Sequence, residues 1–351
     1  MKLTVIVTVY NIAEYLPRFF KSMANQTFGD YVLLVVDDGS QDNSLEVCRE
    51  YAEHDDRIKV VAREHTGIAM VKNAALEYID TEYTAFADGD DFVEPEYLEH
   101  LMTAIEKYDA DLAISRVQYL LENGHIEGCF KSRGELLITK DEYREKLPML
   151  LDDRRLNYIY GKVYRSSILK YIRVEDDVKQ GMDTMINFMY LPRTRSVVLT
   201  DDLDYNYIRY TKRSITSYQG KDAYQRILRI NRFIYSRCEE AGLLSDEMTL
   251  VIDSRILESA VWVIDKILAS DDDKQSKAEQ ISAILNNEYY IQSYNRQKDS
   301  FGKLRFDPIA PQSGEKYISG IERQRRKNEA KAKILAHAPK KLVDLYHKQK
   351  G

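Results

Sequence analysis

Leu3-Thr4-Val5-Ile6-Val7-Thr8-Val9 is the run that decides the fold. Every residue after Leu3 is β-branched, and side chains stiff at χ1 favour a pleated strand over a helix. A continuous apolar run of this kind fits a strand covered on both faces, as in a parallel sheet. Four similar runs follow at 31–36, 58–61, 83–87 and 112–115, separated by helical patterns at 14–25, 44–54, 68–79 and 95–108. Pro95 suits a first helical turn, where its missing N–H costs nothing. Strand–helix alternation over about 115 residues predicts an α/β architecture. Right-handed crossovers then bring the strand C-termini to one edge, where open sheets bind ligands.

Further along, the pattern loosens. Residues 116–219 combine short strands, a hairpin signal at Asn123-Gly124 and helical pieces at 140–151 and 181–191. From 220 to 351 the chain reads as helical. Ile227-Leu228-Ile230-Phe233-Ile234 and Ile256-Leu257-Ala260-Val261-Ile264 recur at helix spacing. These helices are expected to pack on the preceding core or on a second copy, so a homo-oligomer is one expectation. The tail is basic, with Arg323, Arg325, Arg326, Lys327, Lys331, Lys333, Lys340, Lys341, Lys348 and Lys350 facing Glu322, Glu329 and Asp344. A basic amphipathic segment over 331–346 could lie on an anionic membrane, although Pro339 interrupts it and a solvated helix face is the more common explanation of such charges.

Composition narrows the classes. Of 351 residues 44% are hydrophobic and 31% charged, a globular balance, and the formal net charge of -6 argues against bulk nucleic-acid binding. Cys48, Cys129 and Cys238 form neither a CxxC pair nor an even set, so reduced thiols of a cytoplasmic protein are expected. The apolar start soon meets Asn11 and Glu14 and has no small-residue cleavage site, which favours a buried strand over a signal peptide. No uncharged stretch approaches the roughly 20 residues of a membrane span.

Two carboxylate groups fall at predicted strand ends: Val36-Asp37-Asp38-Gly39-Ser40 and Ala87-Asp88-Gly89-Asp90-Asp91. Taken alone, Asp-Asp-Gly-Ser is equally a turn and helix-cap sequence. Residues 88–99 imitate a calcium loop at its first, third and last positions, but Val93 stands where that loop needs glycine. No glycine-rich phosphate loop follows the first strand. Carboxylates gathered on one sheet edge repel one another unless a divalent cation joins them, and Mg²⁺ or Mn²⁺ held by one or two Asp residues keeps positions open for phosphate oxygens. The pair therefore predicts a metal–diphosphate site.

Over roughly residues 1–215 the sequence resembles the family 2 inverting glycosyltransferases, which have the GT-A fold, a Rossmann-like sheet flanked by helices. The resemblance rests on an ordered set: Thr8-Val9-Tyr10-Asn11, Gln26-Thr27-Phe28, Val36-Asp37-Asp38-Gly39-Ser40, Gly67 to Ala74, Ala87-Asp88-Gly89-Asp90-Asp91, Gly181-Met182-Asp183-Thr184 and Tyr205 to Arg209 with Ser214-Ile215-Thr216. It implies a donor half over 1–115 and an acceptor half over 116–219; the helical extension over 220–351 lies outside the resemblance. Thr8, Tyr10 and Asp38 would line the base pocket, and Asp88 would lie near ribose or metal. Asp90 would ligate Mn²⁺ or Mg²⁺, Lys72 and Arg209 would meet base or phosphates, and Asp183 would be the base. Lys72 stands where the family has Arg, and Met182 where it has Glu; Asp176-Asp177 is a rival for Asp183. The implied partners are a nucleotide-sugar donor, UDP-linked by expectation, and a saccharide or lipid-linked acceptor, on the cytoplasmic side or at the inner membrane face. A sugar nucleotidyltransferase and a non-catalytic sugar-nucleotide sensor are the competing readings.

Overall fold

A computed structural model describes residues 1–178, 180–210, 222–299 and 308–336. The N-terminal run forms β1 (Leu3–Val9), followed by α1 (Leu16–Ala24), β2 (Tyr31–Asp37), α2 (Ser44–His54), β3 (Ile58–Ala62), α3 (Ile68–Ala75) and β4 (Tyr83–Asp88). Next come β5 (Phe92–Val93), α4 (Tyr97–Lys107), β6 (Leu112–Leu121), β7 (Ile126–Cys129), β8 (Leu136–Thr139), α5 (Tyr143–Asp152), β9 (Lys162–Arg165), α6 (Ser166–Leu169), α7 (Met182–Tyr190) and β10 (Ser196–Arg209). All ten strands join one sheet, with the path β3-β2-β1-β4-β9-β6-β10-β5, β7 on β6 and β8 on β10. The sheet is parallel through β3-β2-β1-β4 and between β6 and β10, and antiparallel at its other pairings. The α/β class expected from the sequence is the class observed.

Burial explains why the first half was readable. Leu3, Val5, Val7 and Val35 are fully buried, and α1 covers the sheet with Leu16, Phe19, Phe20 and Met23. Burying a side chain of this size contributes roughly 1.5–3 kcal/mol. The hairpin signal is also correct, since β6 and β7 pair antiparallel around Gly124 at φ 80°. Pro95 is a correction. The helix opens at Tyr97 with Glu96 as its N-cap, and Pro95 precedes it with its carbonyl accepting from Thr27 N–H at 2.9 Å. A proline disfavours helical geometry in the residue before it, but here it also belongs to the turn that anchors the chain leaving α1.

The strand registers position the chemistry. Val9 lies beside Asp37 and Thr8 beside Asp88, so the two acidic turns leave the sheet on the same edge.

The chain divides into two compact units, one of Met1–Gln219 with Gln225–Ile252 and one containing Asp253 onward. The helical patterns of the C-terminal part are realised as α8 (Ala223–Glu240), α9 (Asp246–Ala269), α10 (Lys274–Leu285), α11 (Glu288–Gln297) and α12 (Gly314–Ala336). In the second unit the buried Asp253 carboxylate accepts from the Ser293 hydroxyl at 2.7 Å and from Arg296 Nε and Nη2 at 2.7 and 2.6 Å. Asp273 caps α10 by accepting from Ser276 N–H at 2.9 Å. Ser214 to Thr216, Pro339 and the lysines from 340 onward lie outside the described residues. Among the described residues, no helix is long and apolar enough to cross a membrane.

Candidate active site

The two acidic turns have the same local composition and different surroundings. After β2, Asp37 folds back so that its Oδ2 accepts from the N–H groups of Gly39 and Ser40, both at 3.1 Å. Gly39 is at φ 71°, and a Cβ there would stand 2.7 Å from His65 N, so only glycine fits this turn. Asp38 is 3% exposed. Its carboxylate accepts from Thr66 N–H (2.9 Å), the Thr66 hydroxyl (3.1 Å), Gly67 N–H (2.9 Å) and His65 Nδ1 (2.9 Å). The exposed Tyr10 ring stacks on His65 at 4.2 Å.

After β4, Asp91 is tied into the sheet. It accepts from the Tyr205 hydroxyl at 2.9 Å and from Ile208 N–H at 2.8 Å, and the same hydroxyl accepts from Asp88 N–H at 3.0 Å. The Asp90 carbonyl accepts from Arg18 and from the Tyr210 hydroxyl, the latter at 3.0 Å. This leaves the half-buried side chains of Asp88 and Asp90 without a hydrogen bond from any other side chain among the described residues. Their ionised forms are disfavoured. Burial pushes the Asp88 carboxyl up to about 7, the charges of Asp90 and Asp183 add to this, and Lys72 opposes it. Burial also raises Asp90, against its own backbone N–H and Arg18. Two oxygen-donor carboxylates with spare lone pairs suit a hard divalent cation such as Mg²⁺ or Mn²⁺ better than they suit each other.

Lys72 on α3 reaches across to α7. Its Nζ donates to Asp183 Oδ1 at 3.0 Å, and the side chains are 7% and 22% exposed. Burial alone would lower the pKa of this lysine, but the charges of Asp183 and Asp88 outweigh it and raise the pKa. The second oxygen, Asp183 Oδ2, accepts from Ile159 N–H at 3.3 Å. Asp183 lies in the first turn of α7, where a carboxylate also meets the positive end of the helix dipole.

The structure thus brings Thr8, Lys72, Asp88, Asp90 and Asp183 to one region, with Asp38 and Tyr10 at the neighbouring strand ends. Arg209 is elsewhere engaged, its Nη1 on Glu127 Oε2 at 2.8 Å. Asp177, rival to Asp183 through the Asp176-Asp177 pair, is exposed and ion-paired with Arg229 at 2.9 Å. Sequence reasoning missed Arg18, His65 and Tyr210, whose partners lie far off in the chain, met Tyr205 only as part of a motif, and gave no role to Lys162, whose partners Tyr158 and Tyr160 are local. In space His100 Nδ1 meets Asp204 at 2.7 Å and Asp202 at 3.7 Å, a three-residue group on α4 and β10 that could hold a cation. The hydrogen bond of His100 to Asp204 and its ion-pair contact with Asp202 satisfy that group without an ion.

Clustered carboxylates, a buried lysine and a helix-borne aspartate lie at the C-terminal edge of parallel strands, the place where open α/β sheets bind ligands. Residues 4–170, just under half of the chain, match the family model described as Glycosyl transferase family 2, and the fold is of the GT-A type. Relatives include Glycosyltransferase GlyA of Streptococcus pneumoniae, 32% identical over 215 residues, which are 58% of this chain and 30% of that protein. Another is the putative glycosyltransferase EpsH of Bacillus subtilis, 27% identical over 62% of this chain and 64% of that one. The chain therefore spans less than two thirds of the length of either relative. Among solved structures, S. aureus TarS 1-349 in complex with UDP-GlcNAc superposes with a TM-score of 0.67 at 21% identity, covering 87% of this chain and 85% of that one.

Proposed function

We propose that the chain transfers a sugar from a nucleotide diphosphate donor to a hydroxyl of a saccharide or lipid-linked saccharide acceptor, with inversion at the anomeric carbon. One observation carries this reading. The Asp183 carboxylate is gripped at both oxygens, by Lys72 and by Ile159 N–H, within electrostatic reach of Asp88, which itself adjoins Asp90. An inverting transfer is a single in-line displacement that needs a base for the acceptor proton and a counter-charge for the departing diphosphate. Asp183 is the base. With Oδ1 on Lys72 and Oδ2 on Ile159, it is held in one orientation while remaining partly open to an incoming hydroxyl.

Asp88 and Asp90 would hold Mn²⁺ or Mg²⁺, which supplies charge neutralisation at the diphosphate when bound. Thr8, Asp38 and the Tyr10–His65 stack would receive the base and ribose. Lys72 is assigned to the Asp183 side of the site as well as to the phosphates, and Arg209 would have to exchange Glu127 for a phosphate to take part. The donor half is 1–115, the acceptor half 116–219 and the helical extension 220–351. A uridine nucleotide is the favoured donor, supported by the UDP-GlcNAc and UDP complexes of TarS. Surface-polysaccharide assembly on the cytoplasmic side of a membrane is the setting this reading favours, in keeping with relatives such as the minor teichoic acid biosynthesis protein GgaB of Bacillus subtilis.

The test is turnover of a panel of UDP-, GDP- and dTDP-sugars with Mn²⁺, read as nucleotide release with and without saccharide acceptors. Release from one donor class supports the transferase. Tight nucleotide binding with no turnover of any sugar nucleotide would make the chain a sensor instead.

A further inference from the structure

One fully buried cation has no part in the chemistry described so far. Lys162 opens β9 and is 0% exposed, and burial pulls its pKa down to about 7, with Asp183 opposing the shift and Arg155 adding to it. A buried lysine with a strongly perturbed pKa beside a proposed site is a candidate for a role in it.

Its contacts say what it does. The chain turns sharply at Gly161, which sits at φ 67° with Val117 so close that a Cβ would come within 2.9 Å of it. That turn lets the Lys162 side chain hook back along its own loop. Nζ donates to the Tyr158 carbonyl at 2.7 Å and to the Tyr160 carbonyl at 3.2 Å. The Tyr158 carbonyl and the Ile159 N–H are the two ends of one peptide group, and that N–H is the donor to Asp183 Oδ2. Asn187, one turn along α7 from Asp183, donates to the same Tyr158 carbonyl at 2.9 Å and is itself held by the Tyr164 hydroxyl at 2.8 Å. A single peptide unit therefore has a buried ammonium on its oxygen and the Asp183 carboxylate on its hydrogen.

We infer that Lys162 is a positioning residue for the transfer, acting on Asp183 through the Tyr158–Ile159 peptide group. The cation on the carbonyl polarises the peptide, strengthens its N–H as a donor and fixes the direction from which it meets Asp183. Lys72 holds the other carboxylate oxygen directly, so the base is clamped by two lysines, one touching it and one a peptide away. Lys162 touches neither donor nor acceptor in this scheme, and it rests on the reading of Asp183 as base.

The experiment is a double-mutant cycle on the full chain, using hydrolysis of UDP-GlcNAc and UDP-glucose with Mn²⁺ and measuring kcat, donor KM and UDP affinity. Lys162→Met should lower kcat on the order of 10–100-fold, the scale for losing an outer hydrogen-bonding partner of a site residue. Donor KM and UDP affinity should stay within about twofold. In an Asp183→Asn background the same change should cost nothing further, because the group it acts on has already lost its charge. Lys162→Gln, which keeps a donor to the carbonyl and drops the charge, should fall between wild type and Met; it also serves if the Met variant does not fold. Wild-type kcat in both variants, or an equal loss with and without the Asp183 carboxylate, overturns the inference and leaves the transferase reading intact. A folded wild-type chain that turns over no sugar nucleotide overturns that reading first, and this inference with it.

Discussion

Asp38 and Asp88 stand at the ends of β2 and β4, the parallel strands on either side of β1, in turns of nearly the same composition, yet the fold treats them in opposite ways. Asp38 is saturated by donors from residues 65–67 and is almost wholly buried. Asp88 shares its place with Asp90 and Asp183, has Lys72 as its nearby cation, and its carboxyl is pushed up to about 7, burial being the main cause. A carboxylate with its lone pairs filled by backbone N–H groups shapes a loop. One deprived of donors and crowded by like charges calls for a cation or a ligand. Within a single motif type, one carboxylate shapes the loop of the proposed base pocket and the other is left open to a cation.

The widest break in this contrast lies across the site, at Asp183. Asp183→Asn should lower kcat by about 10²–10⁴ while leaving UDP affinity unchanged, the signature of a lost general base; steady-state kinetics beside calorimetric UDP titration reads both. Asp38→Ala comes next. It strands the Thr66 and Gly67 N–H groups and should cost roughly 1–3 kcal/mol of stability. Asp88→Asn, by contrast, removes a disfavoured charge and should leave the metal-free protein at least as stable. Paired thermal melts in chelator test the difference, and equal destabilisation by the two changes would erase it.

The smallest effect belongs to the acids on β10. Burial works against a charged His100 ring, yet its hydrogen bond to Asp204 and the charges of Asp202, Asp204 and Glu96 leave its pKa raised. A raised histidine stabilises the fold fully below the ordinary value near 6.5, and this contribution is lost as pH rises through the higher folded value. His100→Gln should therefore remove a few tenths of a kcal/mol at pH 5.5 and nothing measurable at pH 9. Melting temperatures at the two pH values decide it.

What was legible in the sequence follows from range. The runs of β1, β2 and β4 are buried on both faces, so their apolar continuity survives in one dimension, and α2 falls on 44–54 as its pattern predicts. By contrast β10 was hidden. It runs through Thr200-Asp201-Asp202-Leu203-Asp204 with register shifts at Leu203, so neither alternation nor continuity marks it. The aspartates were visible as letters, but their roles were not. Tyr205 meets Asp91 across 114 positions and Lys72 meets Asp183 across 111, and no local pattern encodes such pairings. In the sequence Asp176-Asp177 rivals Asp183; in the fold Arg229 engages Asp177 and Lys72 engages Asp183.

Whether Asp88 and Asp90 together hold a divalent cation that receives the diphosphate, as proposed, is read by calorimetric titration of UDP into the full chain with Mn²⁺ and with chelator. Binding should depend on Mn²⁺ in the wild type and be lost in Asp90→Ala. UDP affinity that is the same in chelator, in Mn²⁺ and in Asp90→Ala would contradict it.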